Sequence, residues 1–207
     1  MATPWENPIR KAKQLTICPG ATIAKSTWAT ILPDAVTEFN ALATTNSLGV
    51  TFAQVSTPPD PNGPAGADVL FETANGAVTF VSFGTTFSLT VDGSALIGHT
   101  QTVRTVIKNV EKIAKAFIFV PATPQGGSGK SKREVGPGVK LVMLVHEMIH
   151  ACGLSNGDHG NDDVFFGFPQ LRMGSKAADD KLEASSTAVM PPIVMSANTA
   201  KLIQSVW

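Results

Sequence analysis

Histidines at positions 146 and 150 bracket a carboxylate in the run His146-Glu147-Met148-Ile149-His150. On a helix, residues four apart lie one above the other on the same face. Two imidazoles so placed can bind one zinc ion through nitrogen at roughly 2.0–2.1 Å. Glu147, next to the first histidine, can reach a water in the open coordination position. Zinc lowers the pKa of such a water to about 7, and the carboxylate can take its proton. The resulting hydroxide attacks a carbonyl that zinc also polarises. The chemistry expected of this spacing on a helix is hydrolysis of a peptide bond, with zinc as the cofactor.

Catalytic zinc usually keeps three protein ligands beside its water. The chain has four histidines, at 99, 146, 150 and 159. His159 follows Gly153 in a loop able to turn back under the metal, and is the expected third ligand. Asp158 and Asn156 are the alternatives. His99 reads as a histidine satisfied without metal. Asp162 and Asp163 read as solvated loop carboxylates, with orientation of a ligand ring or calcium binding as the other roles open to them.

These residues need a helix to carry them. Val139–Cys152 has apolar residues at 141, 142, 144, 145, 148 and 149, which gives a broad buried face. Gly153 is suited to end that helix in a left-handed conformation. Upstream, 14–18 reads as a strand stopped by Pro19-Gly20. Residues 27–43 read as an amphipathic helix, whose first turn Pro33-Asp34 alternatively marks. Strands are expected at 50–55, 67–72 and 116–120, and a hairpin or edge strands at 78–83 and 86–91. Residues 103–116 fit strand or helix. The Gly-rich stretch 125–138, with Lys130, Lys132 and Arg133, reads as a solvated loop, with a processing site as the alternative. Residues 177–184 fit a short helix, and Ser196 is a plausible N-cap for a last helix from 197 to 206.

Composition limits the function classes. Hydrophobic residues make up 43% of the 207 and charged residues 15%, which is a globular balance. The formal net charge is zero, so no global field favours nucleic acid or an anionic membrane. No apolar run is long enough to span a bilayer, and the first residues do not read as a signal peptide. Two cysteines, Cys18 and Cys152, read as buried free thiols, although one bridge between them stays open. A monomer acting on a peptide or protein substrate is expected.

The stretch His146 to Leu154 reads His-Glu-x-x-His-x-x-Gly-Leu, which resembles the metzincin clan of zinc endopeptidases. The clan's pattern continues to a histidine or aspartate three residues after the glycine, where this chain has Asn156. Ala188-Val189-Met190-Pro191-Pro192 resembles the methionine turn of matrixin-like members, with Met195 as the alternative methionine. The tail from Ser196 to Trp207 is similar to the clan's final helix. The resemblance implies an α+β fold: a twisted mixed sheet with packed helices, an active-site helix, and a small C-terminal part with the methionine turn and last helix. It implies one catalytic domain over 1–207, with an upper part to 153 and a lower part from 154. Peptide would lie along an edge strand in or near 87–91. Some clan members use a tyrosine near zinc, and this chain has none. Asn156 motivates an alternative of another class, a zinc-binding recognition or assembly domain without catalysis.

Overall fold

The computed structural model describes residues 2–126, 129–158, 164–166 and 193–207. Its centre is a mixed sheet of five strands. Strands β1 (Gln14–Pro19), β2 (Thr51–Gln54), β3 (Val69–Ala74) and β7 (Val110–Pro121) run parallel, and β6 (His99–Ile107) lies antiparallel to β7. The order is β2-β1-β3-β7-β6, so β6 is an edge strand. Strands β4 (Gly76–Ser82) and β5 (Thr85–Val91) form a separate hairpin.

Residues 116–120 are apolar without a break because β7 is covered on both faces. Ala116, Ile118 and Val120 enter the main core, which also holds the buried residues of α2 (Ile31–Thr45) and α3 (Pro137–Ala151). Phe117 and Phe119 point the other way and join Val91 and Val103 in a smaller cluster. The hairpin covers that side, with the Phe80 ring 4.3 Å from Phe117 and 5.8 Å from Phe119, centroid to centroid.

Helix α2 starts at Ile31, with Pro33 in its first turn; Trp28 precedes it and is buried. A proline in the first turn forfeits no helical hydrogen bond. Residues 103–116 are strands, joined by the Lys108-Asn109 turn, where both residues have positive φ, 52° and 64°. That conformation matches a tight hairpin turn, normally announced by glycine. A short helix, α1 (Asn7–Ala12), precedes β1 and was not expected from the sequence.

Helix α3 is buried nearly all round, and only Leu141 and His146 among Gly138–Ala151 are partly exposed. Ahead of it, β8 (Gln125–Gly126) pairs with β9 (Arg133–Glu134). Two short strands, β10 (Val164–Phe166) and β11 (Ile193–Met195), pair antiparallel. The last helix, α4 (Ala197–Val206), is capped by Ser196, whose Oγ accepts from Thr199 N at 3.1 Å. Its Ile203 is in the main core, and the Trp207 indole donates to Cys152 O at 2.9 Å. Cys18 and Cys152 are both buried and unbridged. Among the described residues no helix is long and apolar enough to cross a membrane.

Candidate metal centre

One turn of α3 brings His146 and His150 together, with their rings 4.8 Å apart at 78°. Their Nε2 atoms stand 3.1 Å from each other. The His150 Nδ1 lies 2.9 Å from Leu154 O. A carbonyl oxygen only accepts, so Nδ1 bears a proton there, which in a neutral ring leaves the lone pair at Nε2. A backbone partner of this kind fixes both tautomer and ring orientation in metal-binding histidines.

The pair fits a zinc ion. Two nitrogens bound to one ion at roughly 2.0–2.1 Å, at near-tetrahedral angles, stand roughly 3.0–3.4 Å apart. The observed 3.1 Å lies in that interval. That distance also suits a hydrogen bond between the rings, whose proton a bound metal would displace.

Glu147 turns from α3 toward the edge strand. Its side chain is buried, and Thr100 Oγ1 on β6 donates to its Oε2 at 2.7 Å. Burial pushes the carboxyl up from the ordinary 4.5 to about 7, against the lowering effect of the Thr100 hydrogen bond. Gly98, just ahead of β6, lies against the same side chain. His99 heads β6 beside them, is exposed, and pairs across to Phe119.

The end of α3 is held from several directions. Gly153 has a φ of +114°, the positive conformation expected of it, and a side chain there would collide with Thr3 O. Thr3 N donates to Gly153 O at 2.8 Å, and the buried Trp5 indole donates to Ala151 O at 2.7 Å. The segment before α1 therefore straps the helix end that carries His150. Neither contact has a signal in the sequence, since they join residues 150 and 146 positions apart.

Beyond Leu154, Asp158 Oδ2 accepts from Ser155 N at 2.9 Å and Ser155 Oγ at 2.7 Å, which closes a turn. Asn156 is exposed on that turn. A cavity of about 370 Å³ opens between this turn and β6, with His150, Thr100 and Arg104 in its walls. A larger cavity, about 440 Å³, is lined by Ile9, Asp68, Phe83 and Lys115 and touches neither histidine. Volume does not select the site here; the convergent imidazoles do.

Among the described residues no group of three potential ligands forms. His159, Asp162, Asp163 and Met190 lie outside the described residues. Met195 lies in β11, in the main core. The segment 87–91 belongs to the separate hairpin, and the strand beside the histidines is β6.

Sequence reasoning missed Thr100 and Gly98. The only trace is the Gly98-His99-Thr100 triplet heading a strand, which does not specify a contact with Glu147. Comparison with protein-family models and with curated proteins returns no match for this chain.

Proposed function

We propose that this chain is a zinc-dependent endopeptidase with a metzincin-like catalytic domain, in which His146 and His150 hold the ion and Glu147 handles the proton. The observation that carries this reading is the pair of Nε2 atoms 3.1 Å apart, with Nδ1 of His150 tied to Leu154 O. His159 is the proposed third ligand, with Asp158 and Asn156 as alternatives, and Met190 supports the site from below. Bound zinc would polarise the peptide carbonyl and bring a water to a pKa of about 7.

Glu147 takes the water's proton on its carboxylate and passes it to the leaving amine nitrogen. The proposed substrate is an extended peptide lying along β6, whose outer edge has no partner strand among the described residues. The polar cavity beside His150 would receive one side chain of that peptide.

The test combines metal analysis with cleavage of a diverse library of quenched fluorogenic peptides. One zinc per chain and cleavage are expected. Glu147→Gln should keep the zinc and lose about 10²- to 10⁴-fold in kcat. Zinc binding without cleavage, unchanged by Glu147→Gln, would favour a recognition or assembly domain instead.

A further inference from the structure

The edge strand does more than border the site. Thr100 Oγ1 is 2.7 Å from Glu147 Oε2 and 3.1 Å from Glu147 O, the main-chain carbonyl of the same residue. One hydroxyl thus has two acceptors on one residue. It ties both the side chain and the main chain of Glu147 to the edge strand, so the buried carboxylate is not left without a partner.

Gly98 supplies the room. A Cβ built on it would stand 2.7 Å from Glu147 Cγ and 2.9 Å from both Cδ and Oε1. Contacts below about 3 Å are not tolerated by close-packed side chains, so any residue but glycine would displace the carboxylate. Oε1 therefore lies against a bare backbone while Oε2 is tied to Thr100.

We infer that Gly98 and Thr100 form a cradle on the edge strand that positions the Glu147 carboxylate for proton transfer, Thr100 by holding Oε2 and Gly98 by leaving Oε1 its place. This rests on the proposed peptidase reading. Thr100 is a positioning residue, since it acts only through Glu147. Linking the base to the strand proposed to receive substrate also couples the carboxylate's position to peptide docking on β6.

Thr100→Val keeps shape and strand preference but removes the hydroxyl. Thr100→Ser keeps the hydroxyl and removes a methyl. On a peptide cleaved by the wild type, Thr100→Val should lose about 10- to 100-fold in kcat with KM changed less than about twofold. Thr100→Ser should restore most of that loss, and zinc affinity should be equal in all three proteins. Gly98→Ala should behave like Thr100→Val. Wild-type kcat in Thr100→Val, or equal losses in Thr100→Val and Thr100→Ser, would overturn the cradle.

Crystal structures of the two Thr100 variants keep the question separate from peptidase activity. A Glu147 carboxylate displaced in Thr100→Val and in place in Thr100→Ser is expected even if no peptide is cleaved. A carboxylate that stays put in Thr100→Val overturns the inference and leaves the zinc reading intact.

Discussion

His150 is constrained at both ring nitrogens, and Glu147 is placed between burial and a single hydroxyl. The carboxyl is pushed up to about 7 chiefly by burial. Its unfolded-state value is near 4.3–4.5, so between that pH and 7 the metal-free folded protein holds a proton that the unfolded chain has lost. The group's contribution to stability is complete below about pH 4.5 and is lost as pH rises through 7. Glu147→Gln removes that dependence. In metal-free protein the variant should match the wild type near pH 4.5 and exceed it at pH 8 by up to about 3 kcal/mol. Urea unfolding at the two pH values measures this. Equal stabilities at pH 8 would mean that the carboxyl is not buried as described.

At the scale of elements, α3 is anchored at both ends. Near its start, Lys140 is buried and donates to Glu134 Oε1 and Thr27 Oγ1, each at 2.6 Å. Glu134 is held below the usual carboxylate range, first by this hydrogen bond from Lys140. Glu134→Ala leaves a buried ammonium without its carboxylate and should cost about 2 kcal/mol. The double variant Glu134→Ala/Lys140→Met should recover most of that loss. Chemical unfolding of both proteins decides it, and a double variant no more stable than the single one would contradict the pairing.

Such contacts also mark where the sequence stops being legible. The helix over 139–152, the strand at 116–120 and the last helix could be read because apolar spacing and caps are local signals. The β6–β7 hairpin could not, because Lys108 and Asn109 take positive φ without a glycine to announce it. Lys115 and Lys140 could not be recognised as buried from their type. Lys115 is 1% exposed and spends its ammonium on Ala65 O and Ala67 O, holding the Pro/Gly-rich loop to the sheet. The paired histidines were legible because four residues make one helical turn. Thr100 was not, since only the packing of β6 against α3 brings it to Glu147.

For the whole molecule, the segment before α1 and the chain's last residue, after α4, converge on the C-terminal end of α3. Gly153, Trp5 and Trp207 all bond there. A ligand held at that point is coupled to global stability, because it binds the folded state alone. Zinc at a thousandfold excess over its Kd should stabilise the protein by about 4 kcal/mol, and His146→Ala should abolish the effect. A thermal shift that survives in His146→Ala would locate the ion elsewhere. The most direct measurement is an anomalous difference map at the zinc edge, from crystals grown with one equivalent of Zn²⁺. One peak at about 2 Å from Nε2 of both His146 and His150 is expected. No peak there, or a full-occupancy peak away from both rings, would contradict the metal centre and the peptidase built upon it.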